Sequence, residues 1–175
     1  MKIRGLYSIW VPALAGITLY SCVKKPVYPS EPVIVYSDFI RYGNNPQNPD
    51  SVEVVVSFTD NEGDVGLGQA DTVPAMFKTG NIWLIYYYDS TGNGDWSPYD
   101  DVPVPIGVMD TFKRGYRIPP VLPDGDPDEP VKGLIFVKLS PFVAIHPRIK
   151  YEVFMYDKAL HKSNTIETPA LDFEP

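Results

Sequence analysis

Apolar and polar residues alternate along several short segments of this chain, and a period of two predicts β-strands that are buried on one face. Every second position is apolar in residues 52–58, and the same pattern recurs in 134–139 and 149–156. We find no segment with a convincing apolar period of 3.6 residues, which is the period of an amphipathic α-helix. The pattern therefore predicts a fold made of strands.

Further β-rich segments complete the predicted set of strands. Residues 33–40 are rich in β-branched and aromatic residues, and 82–88 is the most apolar run, which is typical of a central strand. Shorter extended pieces are predicted at 104–108, 114–118 and 166–171. About seven short strands separated by turn signals predict an all-β fold with a single antiparallel β-sandwich. An up-and-down barrel is the alternative.

The N-terminus has the three parts of an export signal. Lys2 and Arg4 provide the positive end, residues 5–20 are apolar and uncharged, and the small residue Ser21 precedes Cys22. The apolar stretch is shorter than the roughly 20 residues that a membrane-spanning helix needs. We therefore expect a cleaved signal rather than a permanent transmembrane helix.

Cys22 is the only cysteine, and Leu19 stands three residues before it. This arrangement resembles the lipobox of bacterial lipoprotein precursors. The resemblance implies cleavage before Cys22, acylation of its sulfur and attachment to a membrane. We expect a signal peptide at 1–21, a lipidated cysteine with a tether at 22–31, and a β-sandwich domain at 32–175. The alternative is an ordinary secreted protein with one unpaired cysteine.

The residues after Cys22 indicate to which membrane, and to which face of it, the lipoprotein is sorted. Val23 follows Cys22 where inner-membrane lipoproteins carry aspartate, so similarity to known sorting rules favours the outer membrane. Lys24 and Lys25 come next, and the first acidic residue is Glu31. Surface-exported lipoproteins of Bacteroidota tend to have acidic residues close behind the cysteine. We therefore expect a domain that faces the periplasm rather than the cell surface.

A wider resemblance involves three further segments. They are 58–67, which contains Asp60-Asn61-Glu62-Gly63-Asp64, then 116–120, then the hairpin 151–164. With the lipobox they resemble small Bacteroidota outer-membrane lipoproteins of unassigned function. The hairpin is similar to the last hairpin of immunoglobulin-like and fibronectin-III-like domains. The resemblance implies a location and an immunoglobulin/fibronectin-III-like sandwich, but it implies no activity.

Two acidic glycine loops are candidate calcium sites, because hard cations bind several oxygen ligands around one point. In the first loop Asp60, Glu62 and Asp64 alternate, with Asp71 nearby. In the second, residues 89–100, oxygen side chains and Gly94 approach the spacing of an EF-hand loop. For each loop the alternative is a hydrogen-bonded turn. We therefore predict no cofactor, with calcium at Asp60, Glu62 and Asp64 as the alternative.

Aromatic residues provide a third candidate site. Trp83, Tyr87 and Trp96 can form a platform on which sugars stack, as in β-sandwich carbohydrate-binding modules. The alternative is core and cross-strand packing, which aromatic residues in strands commonly provide.

Enzymatic chemistry is poorly supported. His146 and His161 are the only histidines, and the chain has neither a Gly-x-Ser-x-Gly elbow nor a His-Glu-x-x-His motif. The net charge of −7 also argues against nucleic acid, which requires a basic surface.

We therefore expect a non-enzymatic accessory or scaffolding subunit of a cell-envelope protein assembly. Its expected contact surface consists of the two acidic glycine loops and the proline loop 119–130, which contains Asp124, Asp126 and Asp128. The alternatives are a glycan-binding module, with or without calcium, and a hydrolase with an unrecognised site.

The lipid anchor is directly testable. We expect Cys22→Ser to leave the domain folded but to release it from the outer membrane, or to strand the precursor in the inner membrane, because no other anchor is recognisable. Membrane fractionation measures this distribution. A variant that stays wholly in the outer-membrane fraction contradicts the lipid-anchor hypothesis.

Overall fold

A computed structural model describes residues 24–99, 113–122, 129–139 and 146–174 of the chain. The predicted signal peptide, Cys22, the predicted strand 104–108 and the aspartates at 124, 126 and 128 lie outside the described residues. Within the described ranges, no helix has the length and apolar character needed to cross a membrane.

The described residues form nine strands and one short 3-10 helix. In chain order they are β1 (Val33–Tyr42), β2 (Ser51–Asp60), the 3-10 helix (Ala75–Lys78), β3 (Ile82–Asp89), β4 (Trp96–Pro98), β5 (Lys113–Tyr116), β6 (Val131–Leu139), β7 (Arg148–Met155), β8 (Ile166–Glu167) and β9 (Leu171–Asp172).

The strands form two antiparallel sheets. One sheet has the order β1-β2-β6, and the other is built on the central pair β3-β7. Strands β4 and β5 lie along the free side of β3, while β8 and β9 lie along the free side of β7. The chain changes sheet between β2 and β3, between β5 and β6, and between β6 and β7. This distribution is that of an antiparallel β-sandwich and not of a barrel whose strands pair in chain order.

The hydrophobic core lies between the two sheets and is built by alternate residues of the strands. In β2, Val52, Val54 and Val56 are buried, and in β7 Ile149 and Val153 face them from the other sheet. The prediction of half-buried strands at 52–58, 134–139 and 149–156 is thus confirmed. So is the central strand at 82–88, because β3 is paired along both of its sides.

The last predicted strand, 166–171, is divided into β8 and β9. At the division, the backbone N–H of Thr168 donates to the Tyr151 carbonyl over 2.8 Å, and the Tyr151 N–H donates to the Thr168 hydroxyl over 3.0 Å. The next residue, Pro169, has no N–H to offer to the ladder. A side chain therefore replaces one backbone group, and the regular pairing stops.

Asn81, immediately before β3, connects segments that are distant in sequence. Its side chain is fully buried and donates to the carbonyls of Val65 (2.6 Å) and Tyr156 (3.1 Å). Its Oδ1 accepts a hydrogen bond from the Ile118 N–H over 2.9 Å. Its backbone N–H donates to the Tyr116 carbonyl, and its carbonyl accepts from the Tyr156 N–H. One residue thus links the loop after β2, the segment after β5 and the end of β7.

We expect Asn81→Ala to lower the free energy of unfolding by roughly 3 kcal/mol, because it leaves buried backbone groups without hydrogen-bond partners. Asn93→Ala, at an exposed position in the turn after β3, is the matched control and should change it by less than about 0.5 kcal/mol. Urea denaturation measures both values. Equal effects of the two substitutions would show that the buried amide does not hold these segments.

Candidate functional site

Three aspartates meet at one end of the sandwich. Asp60 ends β2, Asp64 lies in the loop that follows, and Asp157 comes two residues after the end of β7. Each carboxylate places one oxygen within 4.8 Å of the others. Because β2 and β7 belong to different sheets, the group joins the two layers of the fold. We call Asp60, Asp64 and Asp157 the acidic site.

Asp60 is fully buried, and its two oxygens have different surroundings. Oδ2 accepts hydrogen bonds from the backbone N–H groups of Gly63 (2.6 Å) and Asp64 (3.2 Å), which closes the turn. Gly63 has a φ of +73°, and a Cβ at this position would lie 2.7 Å from the Glu129 carbonyl oxygen, so the turn requires glycine. Oδ1 is buried without a hydrogen-bond partner.

Asp64 attaches the same loop to the hairpin that follows β7. Its Oδ2 accepts a hydrogen bond from the Ala159 N–H over 3.2 Å, and its backbone carbonyl accepts one from the Lys158 N–H over 3.1 Å. Its Oδ1 is buried and, like Oδ1 of Asp60, has no hydrogen-bond partner. Each of these two carboxylates thus has one oxygen that the protein itself leaves unused.

Asp157 is also buried, and it binds His161 through both oxygens. Oδ1 accepts from the His161 backbone N–H over 2.8 Å, and Oδ2 lies 2.9 Å from the imidazole Nδ1. The hydrogen bond to Asp157 raises the pKa of His161. Burial raises the pKa of Asp157, and the bonds to His161 oppose that rise.

Burial and like charges act against the ionised forms of Asp60 and Asp64. Burial raises the pKa of Asp60 to about 6, and the charge of Asp64 adds to this, while the hydrogen bond from the Gly63 N–H opposes it. Burial, followed by the charge of Asp157, raises the pKa of Asp64. Carboxylates behave in this way when water is excluded and like charges lie close together.

The predicted calcium ligands are only partly brought together. Asp60 and Asp64 belong to the acidic site, whereas Glu62 does not belong to the group. Its Oε1 accepts from the Asn61 side chain over 3.4 Å, and its Oε2 is buried without a partner. Asp71 lies elsewhere: its carboxylate accepts from the Gly68 N–H over 2.7 Å and pairs with Lys158 at 3.3 Å.

Sequence reasoning missed Asp157. The available signal was its position directly after a predicted strand, in front of a turn. Its proximity to Asp60 and Asp64 depends on the packing of one sheet on the other, which the alternation of apolar residues does not report.

The second acidic loop forms a hydrogen-bonded turn. The Asp89 carboxylate accepts from the backbone N–H groups of Thr91, Gly92 and Gly94 at 2.8–3.3 Å and lies 3.5 Å from Arg148. Burial raises the pKa of Asp89, but the three amides and Arg148 outweigh burial, and the pKa is lowered. Both oxygens are therefore occupied, which favours the turn over a calcium loop at 89–99; Asp100 lies outside the described residues.

The three predicted aromatic residues share the outer face of the six-stranded sheet, and each is half-buried. The Lys150 ammonium lies 4.9 Å from the centre of the Trp96 ring and 5.8 Å from that of Tyr87. Trp83 lies beside Phe154 in the register, and a Cβ at Gly115 would approach the Trp83 ring to 3.1 Å. We call Trp83, Tyr87 and Trp96 the aromatic face.

The outer face of the three-stranded sheet carries exposed apolar side chains. Val35, Leu134 and Phe136 are 57%, 51% and 54% exposed, and we call them the apolar patch. Val35 and Leu134 lie on either side of Ser57 in the register of β1, β2 and β6. A groove of about 360 Å³ runs beside them.

The two histidines are distant from each other in the fold. His161 belongs to the hairpin at the acidic site, whereas His146 stacks on Tyr88 with a centroid distance of 4.0 Å. The Nε2 of His146 is buried without a hydrogen-bond partner, and burial lowers the pKa of His146.

No protein-family model matches the chain, and no curated protein or solved structure is significantly similar to it.

Proposed function

We propose that this protein is a lipid-anchored accessory or scaffolding subunit of a cell-envelope assembly, and that it binds another protein without catalysing a reaction. In this proposal Cys22 carries the anchor in the outer membrane, and the β-sandwich faces the periplasm. The apolar patch is the observation that supports it. The apolar patch replaces the acidic glycine loops and the proline loop as the proposed contact surface. Asp124, Asp126 and Asp128 of the proline loop lie outside the described residues.

The composition of the apolar patch supports the proposal of protein binding. The largest exposed apolar patch on a soluble protein is often a functional surface. Lys132 and Lys138 flank Leu134 and Phe136 on the same face of β6, and Glu53 lies opposite Lys138. An apolar centre with a polar rim is the usual anatomy of a protein–protein interface. The expected partner therefore presents an apolar surface of its own.

The position of the patch supports a partner close to the membrane. The segment that follows the proposed anchor lies against the domain: the Tyr28 N–H donates to the Asn61 side chain over 3.2 Å, and Lys25 pairs with Glu129 at 2.6 Å. Strand β1 begins only a few residues later, and Val35 is its third residue. The patch thus lies near the end of the domain where the tether enters, so we propose a partner that is itself attached to the outer membrane.

We expect the double substitution Leu134→Ser and Phe136→Ser to reduce recovery of the partner about tenfold, because it removes the apolar centre of the surface. The melting temperature should change little, since both side chains are exposed. Crosslinking in intact cells, followed by purification from solubilised membranes, measures recovery.

Val73→Ser is the matched control, because Val73 is 85% exposed and lies outside the patch. It should retain the partner. Equal recovery with the patch variant and the control contradicts the proposal, and so does a crosslinked product that contains only copies of this chain.

A second candidate function is glycan binding, and the aromatic face favours it. Trp83, Tyr87 and Trp96 are separated in sequence but share one face of the six-stranded sheet, as a stacking platform requires. The cations of Lys150 and Arg148 lie over the Trp96 ring and occupy part of its surface. They would therefore compete with a sugar for this ring.

Glycan binding predicts that immobilised envelope polysaccharides retain the protein and that Trp96→Ala reduces retention about tenfold. Tyr42→Ala, an exposed aromatic position on the other sheet, is the control and should have no effect. If no polysaccharide retains the unmodified protein while the protein partner is still recovered, glycan binding is contradicted and protein binding stands.

A further inference from the structure

We propose that Asp60, Asp64 and Asp157 bind a calcium ion between the two sheets. This site goes beyond the proposed contact function, since it lies at the end of the sandwich and not on the apolar patch. It differs from the ligand set predicted from sequence, because Asp157 takes the place of Glu62.

The unused oxygens carry the inference. Three carboxylates within 4.8 Å of one another do not by themselves form a metal site, because clustered acidic residues are common on proteins. Here, however, Asp60 is fully buried, and its Oδ1 has neither a hydrogen-bond donor nor exposure to solvent. Oδ1 of Asp64 is also buried and has no hydrogen-bond partner. Buried carboxylate oxygens are almost always satisfied, so two such atoms in one acidic group are available as ligands for a cation.

The hydrogen bonds around the site leave these oxygens available. Backbone amides bind Oδ2 of Asp60 and Oδ2 of Asp64, and they hold both carboxylates in fixed orientations. Asp157 is fixed by its two contacts with His161. The ligands are therefore positioned before any ion binds, which reduces the entropic cost of binding.

The chemistry of the three ligands indicates which cation the site would bind. All three ligands are carboxylates, and hard oxygen donors favour calcium or magnesium over zinc and copper. The His161 Nδ1 is bound to Asp157, which leaves it unavailable as a ligand. Calcium accepts irregular oxygen geometry, whereas magnesium requires a near-ideal octahedron, so a site built from a turn, a loop and a hairpin favours calcium.

An ion at this site would tie together three parts of the fold. Asp60 belongs to one sheet, Asp157 follows a strand of the other, and Asp64 lies in the loop between β2 and β3. The neighbouring Asn61 contacts the tether through Tyr28. We therefore expect calcium to stabilise the domain at the end where the tether enters.

The test uses the full-length protein in detergent, stripped with a chelator and titrated with calcium chloride. We expect one saturable site by calorimetry, with a dissociation constant of about 10⁻⁴ to 10⁻³ M, as in extracellular modules. The melting temperature should rise by about 5 °C at saturating calcium, because the ion binds only the folded state. Magnesium at the same concentration should have a smaller effect.

Asp64→Asn is the decisive variant, because Asp64 is partly exposed and its carboxylate makes only one structural hydrogen bond. It should keep the circular dichroism spectrum of the unmodified protein and lose the calcium response. Asp38→Asn, at an exposed position on β1, is the matched control and should respond fully. A melting temperature that is indifferent to calcium, or an undiminished response in Asp64→Asn, overturns the proposal.

Discussion

The buried amide of Asn81 is the constraint on which one end of this sandwich depends. A side chain with two donors and an acceptor satisfies backbone groups from three segments that have no regular pairing with one another. Two of its contacts, Val65 and Tyr156, immediately adjoin Asp64 and Asp157. The amide therefore helps to position the backbone beside two of the three carboxylates, although no hydrogen bond joins it to any of them. Because the bonds to Val65 and Ile118 are buried, water cannot easily replace them if they are lost, and they hold the geometry strongly.

The acidic site brings buried carboxylates close together beside the segments that Asn81 connects. Two carboxylates buried close together repel each other and lose hydration, and neither effect helps the fold. The backbone amides of Gly63, Asp64 and Ala159 compensate in part, and His161 supports Asp157. What remains uncompensated is one oxygen each on Asp60 and Asp64. The cost of burying the acidic site and the proposed binding of a cation therefore involve the same oxygen atoms.

The two outer faces of the sandwich have different chemistry. The three-stranded sheet exposes Val35, Leu134 and Phe136 with lysines at its margin, whereas the six-stranded sheet carries Trp83, Tyr87 and Trp96 against basic side chains. The first is the proposed protein-binding surface, and the second is the candidate surface for stacking on a sugar. Because a one-residue shift in register would exchange inner and outer residues, the pairing of β2 with β6 determines which apolar side chains reach solvent.

The sequence alone determined the all-β class, the half-buried strands and the central position of 82–88, because a period of two is a local property of the chain. It also marked Asp60 and Asp64, since the glycine turn that holds them lies within a few residues. Only the tertiary structure decided that Asp157 joins them and that Leu134 and Phe136 face outward. These outcomes depend on sheet packing and on competing hydrogen bonds between distant residues, and such contacts leave no periodic signal along the chain.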